Sequence, residues 1–511
     1  MTSLPDSLVN ACLMPAYVAG SPPDWVRRAL DDGLAGIAVF GRTVRLADGL
    51  IAERITNPLR AMRQDLLIGL DEEGGDVTRL GYDHGSAYPG NHALGSVDDP
   101  VLTRSVAGAM ARDLRSHQVN LDFAPCLDLL PDERSPVIGL RSFGTDPHRV
   151  AAHGVQFLRG LQDAGVAAAV KHFPGHGSAR TDSHHDLPVV AHSARTLRER
   201  DLVPFRAAVD AGVKAVMTAH VRYPALDSLP ATLSPRIIGG LLREEMGFRG
   251  VVVSDGIDMS ALRDRWGTAR AAVLAWVAGV DLVAIGGRDG EQPCVEIRAA
   301  VRQAVADGEL PLSRLEEAAE RVNGLRAWTA AQPVPGGHGG HAGVGLRAAR
   351  LALRSRGDCR LAGPPYVVEL HGAPSSAVGA ARWGLAPVLA RLDFLAGHEI
   401  RRPDEAAAEV PAGASPLVLV VRDAFRDPWQ LRCVAAFLDR RPDTTLVAMG
   451  LPEDLRLTGG GALATSGAAL VNAIAAAEAL SGRAWPQDTP SPGTVPEQAA
   501  GVPSRKDDLR T

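Results

Sequence analysis

The sequence predicts an α/β protein: a (β/α)8 TIM-type barrel followed by a smaller α/β sandwich domain. Three observations carry this expectation. From residue 20 to about 330 an amphipathic helix repeatedly ends at a glycine, and a short apolar strand follows at once. Glycine suits the left-handed residue that closes a helix, and a tight helix-to-strand turn follows from it. About seven or eight such units fit a closed barrel better than an open sheet. Polar residues also fall where successive strands end, the positions that converge on the catalytic face of a barrel.

The units are legible in order. Leu34 to Phe40 follows the helix Arg27 to Gly33, and Leu66 to Leu70 ends at Asp71. Leu121 to Leu127 leads to Asp128, and Val166 to Val170 follows a helix over Phe157 to Gly165. Val213 to Met217, with His220 just beyond, follows Phe205 to Gly212. Gly250 to Val253 leads to Asp255, and Val280 to Ile285 follows Ala271 to Gly279. Apolar strands alternating with helices imply a parallel sheet covered on its outer side. The first strand lacks a glycine-rich phosphate loop, which argues against a dinucleotide-binding sheet.

At 511 residues the chain exceeds the usual size of one hydrophobic core, so two domains are expected. We assign 1–331 to the barrel, 332–345 to a Gly/Pro/His-rich linker, 346–485 to the second domain and 486–511 to a disordered tail. In the second domain, strands are expected at Pro365 to Leu370, Pro416 to Val421 and Thr445 to Met449, with helices over Trp429 to Leu438 and Ala468 to Leu480. A formal charge of −5 points to neither nucleic acid nor a membrane surface as partner. No secretory leader or membrane span is visible, and the five scattered cysteines read as reduced thiols, so a cytoplasmic location is expected.

The segment after the central strand carries the densest chemistry. Lys171, His172, His176, Asp182, His184 and His185 crowd a stretch broken by Pro174 and Gly175, which we read as a polar loop. Only Lys171, Lys214 and Lys506 are lysines in the whole chain, so Lys171 marks either chance or a need for a compact ammonium. Glycoside hydrolysis needs a carboxylate on one side of the sugar and a proton donor on the other. Asp255 suits the first task, with capping of the next helix as the plain structural alternative. No glutamate stands in the loop to serve as acid. Asp182 can orient His184, and an imidazole both gives and takes a proton near neutrality. A metal-dependent hydrolase using His172, His176, His184 or Asp255 as ligands is a second reading, weakened because Pro174 and Gly175 forbid a helix between the first two. A catalytically inert binding protein is a third.

The residues also resemble a known family. Lys171-His-Phe-Pro-Gly-His-Gly177, Asp182-Ser-His184 and Leu187-Pro188 closely resemble the signature loop of glycoside hydrolase family 3 β-N-acetylglucosaminidases. Further stretches agree in order: Gly69-Leu-Asp-Glu-Glu-Gly-Gly75 with Arg79, Asn120 to Pro125 with Asp128, and Val137 to Asp146. Met217 to His220, Pro230 to Pro235 and Gly247 to Asp255 complete the set. The resemblance implies a barrel, a retaining mechanism, Asp255 as nucleophile, and His184 with Asp182 as the acid/base dyad. It implies that Asp71, Arg79, Arg141, Lys171 and His172 hold the sugar, with no metal and no cofactor. The expected partner is a small carbohydrate, such as a cell-wall fragment, and the oligomeric state is left open. Two departures stand out: Gly256 where many relatives have aspartate, and Asp76 where arginine is frequent and where charge beside Asp71 is expected to be disturbed. A histidine acid/base also admits phosphate as acceptor, so phosphorolysis or β-glucoside cleavage at the same site stays open.

Overall fold

The computed structural model describes residues 4–132, 137–179, 186–286, 289–333, 342–372, 378, 384–403, 410–413 and 415–486. Eight short parallel strands come first: β1 (Leu13–Pro15), β2 (Gly36–Val39), β3 (Leu67–Leu70), β4 (Leu121–Asp122), β5 (Ala167–Phe173), β6 (Ala215–Thr218), β7 (Val251–Ser254) and β8 (Val283–Ile285). β2 to β7 pair in sequence order, and β8 pairs with β1. The seams close through backbone bonds: Ser254 N–H to Leu282 C=O at 3.0 Å on one side, and Ala35 N–H to Asn10 C=O at 3.0 Å on the other. The expected barrel is therefore present. Sequence reading omitted β1, because three residues flanked by Cys12 and Ala16 carry no period of their own.

Side chains alternate across the barrel wall, as strand geometry requires. Ala167 and Ala169 of β5 join the inner cluster with Met14, Phe123, Met217 and Val253, while Ala168 and Val170 face the helices. Small residues on the strands leave room for the few large ones. A Cβ on Gly69 would lie 2.7 Å from Met14 Cε and 2.9 Å from Phe123 Cζ. Helices over Pro100–Ser116, Pro147–Asp163, Val203–Asp210, Thr268–Ala278, Glu291–Ala306 and Leu312–Ala330 cover much of the outside.

The second domain is a parallel sheet with one antiparallel edge. Its strands are β9 (Arg354–Arg356), β10 (Tyr366–Leu370), β11 (Gly397–Arg401), β12 (Leu417–Val421), β13 (Thr445–Ala448) and β14 (Ala462–Ala464), in spatial order β11-β10-β12-β13-β14-β9. Helices Pro428–Arg440 and Leu470–Ser481 pack on it. β9, β11 and β14 escaped sequence reading: β9 is exposed throughout, and β11 alternates partly buried and exposed positions, with its one large apolar side chain, Ile400, exposed.

The expected linker over 332–345 needs correction at its end. Ala342–Ala352 is a helix, so 342–345 belong to it. Gly345 there is a packing device, since its Cβ would sit 2.0 Å from the Ala87 carbonyl oxygen, whereas a Cβ on Gly343 would meet nothing within 4 Å. Residues 334–341 and 487–511, including His338, His341 and nearly all of the expected tail, lie outside the described residues.

Candidate active site

The carboxyl ends of β3 and β5 bring the charged residues together. The apolar strand continues beyond Val170 to Phe173, so Lys171 and His172 stand on β5 and not in a loop as the sequence suggested. Their side chains are buried against β3 and the β4 connection. Lys171 Nζ donates to Asp71 Oδ1 at 2.6 Å and lies 2.7 Å from Glu73 Oε1. Arg141 grips the same Glu73 with both arms, Nη2 to Oε1 at 2.7 Å and Nε to Oε2 at 3.0 Å. Arg79 Nη2 completes the group, 3.4 Å from Asp71 Oδ2.

Two carboxylates thus share three cations. Burial would raise the Asp71 pKa, but Lys171 and Arg79 outweigh it and hold the group ionised, below the ordinary aspartate value. At Glu73, burial is likewise overcome, by Arg141 and then Lys171. Lys171 pays for desolvation with two carboxylates and ends above its usual value. A compact ammonium fits here: it touches both carboxylates while Arg141 occupies the other edge of Glu73. Of the two readings of this rare lysine, the geometry favours a need for its shape.

His172 is tied from behind. Its Nδ1–H donates to Asp128 Oδ2 at 2.6 Å, which leaves Nε2 to face Arg141 Nη2 at 3.5 Å. Asp128 also accepts from the His176 amide at 2.6 Å and from the Cys126 thiol at 3.3 Å. Burial opposes ionisation of Asp128, yet His172 and the His176 amide bring its pKa down to about 2. Cys126, Asp128 and His172 place ligand-type atoms within 4.8 Å of one another. They already satisfy each other, and a guanidinium beside the free ring nitrogen repels a divalent ion. Burial also keeps the Cys126 thiol protonated. These residues fit a hydrogen-bonded brace and not a metal centre.

Asp255 follows β7 directly, is only partly buried, and accepts the Gly256 amide at 2.8 Å. His220 braces that turn. Its Nε2–H donates to the Gly256 carbonyl at 2.9 Å, and Nδ1 lies 2.7 Å from the Thr232 hydroxyl oxygen. Gly256 is not forced by crowding: a Cβ would meet Met259 Cγ at 3.3 Å, a contact a flexible side chain can relieve.

Asp182 and His184 lie outside the described residues, as does His185. Both shoulders of that segment are anchored. Before it, the Tyr223 hydroxyl donates to the Gly175 carbonyl at 2.9 Å; after it, the Arg222 amide donates to the Pro188 carbonyl at 3.0 Å.

Sequence reading gave no role to Glu72, Glu73 or Asp122. Glu73 ties two of the cations to the site. Glu72 turns inward, its Oε2 accepting from the Thr78 hydroxyl and from the Arg79 and Leu80 amides at 2.8 to 3.0 Å. Burial dominates and lifts its pKa to about 7. Asp122 accepts the Glu72 amide at 2.9 Å, and burial raises it well above the ordinary value. The signal was three successive acids at the end of an apolar strand, more than solvation of a loop requires. Asp76, expected to disturb charge beside Asp71, instead points to the second domain, where Arg422 meets it and the Ala468 amide donates to it at 2.9 Å.

The geometry defines a class: an α/β-barrel protein whose catalytic face carries ionised carboxylates interleaved with cations, a surface suited to the hydroxyls of a sugar. Comparison with known proteins gives the family. Residues 24–325 match the profile of the glycosyl hydrolase family 3 N terminal domain. The β-hexosaminidase of Xylella fastidiosa (strain M23) is 40% identical over 270 residues, 51% of this chain and 78% of that protein. β-Hexosaminidase A of Pseudoalteromonas piscicida is 31% identical over 331 residues, 60% of this chain; the chain spans about half, 55%, of its length. A solved family 3 β-N-acetylglucosaminidase from Paenibacillus sp. str. FPU-7 superposes with a TM-score of 0.83 at 30% identity, covering 94% of this chain and 97% of the other. The chain belongs to glycoside hydrolase family 3, in its β-hexosaminidase branch.

Proposed function

We propose that the protein is a retaining exo-β-N-acetylglucosaminidase that releases terminal β-linked N-acetylglucosamine from small glycoconjugates such as cell-wall fragments, in the cytoplasm. The observation that carries the reading is the Asp71–Lys171–Glu73–Arg141 cluster standing on the same barrel face as a partly exposed Asp255, in a chain of this family. Buried, mutually ionised groups keep fixed positions and offer directional bonds to sugar hydroxyls without reorganisation.

In the first step His184 protonates the glycosidic oxygen while Asp255 attacks the anomeric carbon, and the aglycone leaves. In the second, His184 takes a proton from water, which attacks that carbon and frees Asp255. Asp182 orients His184 through its second ring nitrogen. His220 and the Gly256 amide aim Asp255.

The test is turnover of p-nitrophenyl β-N-acetylglucosaminide beside the β-glucoside, with and without phosphate. Selective release from the N-acetyl substrate, with retention of configuration by NMR and none in D255N, is expected. Near-normal turnover in D255N, an inverted product, or a sugar phosphate as the main product would overturn the proposal.

A further inference from the structure

The second domain has no role in the chemistry just described, yet it touches the barrel one turn from the charged cluster. After Glu73 the chain reverses through Gly74 and Gly75, both with positive φ, and returns at Val77. The Glu73 amide donates to the Val77 carbonyl at 2.9 Å, and the Gly75 amide to the Tyr88 carbonyl at 2.8 Å. Such a glycine turn has little conformational preference of its own, because glycine visits both signs of φ about equally. Something outside it must fix its position.

Beside the Gly75–Tyr88 bond from the barrel, support comes from the second domain. The Asp76 side chain, at the tip of the turn, is 6% exposed. Arg422, at the end of β12, pairs with Oδ2, and the Ala468 amide, just before the helix Leu470–Ser481, donates to Oδ1 at 2.9 Å. The loop presenting Ala468 is itself held. The Thr465 hydroxyl donates to the Gly467 carbonyl at 2.6 Å, and Asn472 Nδ2 donates to the Thr465 carbonyl at 2.8 Å. Ser466 and Gly467 line the same narrow recess as Asp76, Glu73 and Arg141. A shift of this loop is passed along bonds: from Ala468 to Asp76, through the turn to Glu73, and from Glu73 to Arg141.

We infer that Asp76 is a positioning residue, through which Arg422 and Ala468 of the second domain clamp the turn carrying Glu73 and so hold Lys171 and Arg141 in register for the sugar. The inference rests on the sugar-binding role proposed above. Charge-assisted bonds to a carboxylate that is itself buried suit this task, being directional.

Full-length D76N, R422Q and the double variant test it against wild type. KM for p-nitrophenyl β-N-acetylglucosaminide is expected to rise about fivefold or more in each single variant, with kcat within about twofold. The double variant is expected to be no worse than D76N, because both substitutions cut one link. Amide hydrogen exchange over residues 73–80 is expected to quicken about tenfold, with exchange in β5 unchanged. Unchanged KM and unchanged exchange in folded variants would overturn the clamp, as would two independent, additive losses. If D76N fails to fold, R422Q decides, since that side chain is 37% exposed. If wild type turns over no amino sugar, the proposed function fails, and the exchange measurement still decides the clamp.

Discussion

Replacing Glu73 with glutamine isolates the energetic centre of the charged cluster. The wild-type carboxylate is 2% exposed and receives both arms of Arg141 and the ammonium of Lys171. Glutamine keeps the volume and one acceptor oxygen but removes the charge, so that of the two carboxylates in the cluster only Asp71 remains to face Arg141, Arg79 and Lys171. Removing one partner of a buried pair costs about 3–5 kcal/mol, because the remaining charge stays desolvated and unmatched. The exposed Arg195–Glu199 pair, at 84% and 62% side-chain exposure, is the control. E199Q should cost about 0.3–0.5 kcal/mol, since water screens such pairs and their ordering offsets the gain. The assay is urea unfolding at pH 7, followed by fluorescence and far-UV dichroism. The pH dependence supplies a second check. Glu73 has a depressed pKa in the fold, so its stabilisation is fully present above the unfolded value of about 4.3 and is lost as pH falls below it toward the folded value. The gap between wild type and E73Q should therefore narrow steadily from pH 5 downward. A loss in E73Q no larger than that in E199Q, or a gap that widens in acid, would refute the reasoning.

Other consequences follow from neighbouring groups. Glu72 behaves with the opposite sign: burial raises its folded pKa to about 7, so its contribution is full below about 4.3 and lost as pH rises through 7. Wild type should accordingly lose about 3 kcal/mol relative to E72Q between pH 5 and 8, read by denaturant titration at each pH. Gly177 has no room for a methyl group, since its Cβ would lie 1.8 Å from the Leu129 carbonyl oxygen. G177A should destabilise by about 1–3 kcal/mol in calorimetry and, by displacing the root of the 180–185 segment, lower turnover at least about tenfold.

The barrel was legible because its units repeat the same physical solution: a helix closed by a left-handed glycine, then an apolar strand. Gly33, Gly165, Gly212 and Gly279 all adopt positive φ, as that reading requires. Elements without this punctuation were not legible. β1 is three residues long, and β9 and β11 at the edge of the second sheet lack buried apolar runs. At the site, strand-end position found Asp71, Asp128, Lys171, His172, His220 and Asp255, but not what each one does. His220 serves the Asp255 turn, and His172 is a braced ring whose orientation Asp128 sets.

Asp76 shows why charge alone misleads in a linear sequence. Five residues from Asp71 it reads as electrostatic interference, and an ion of like sign in one loop ordinarily would be. The glycine turn reverses the chain between them, so the two carboxylates face different domains and meet different cations, Lys171 and Arg422. Arg422 lies 346 positions away in the sequence, and no local pattern around Asp76 encodes it. The same separation explains why the second domain's contribution was invisible. Its catalytic-face contacts come from loop residues after β12 and β14 (an arginine and a backbone amide), groups with no motif of their own. Partner identity is set by topology, and so the next information about this site lies in the joint between the domains, where Asp76 can be altered without touching any group proposed to hold the sugar.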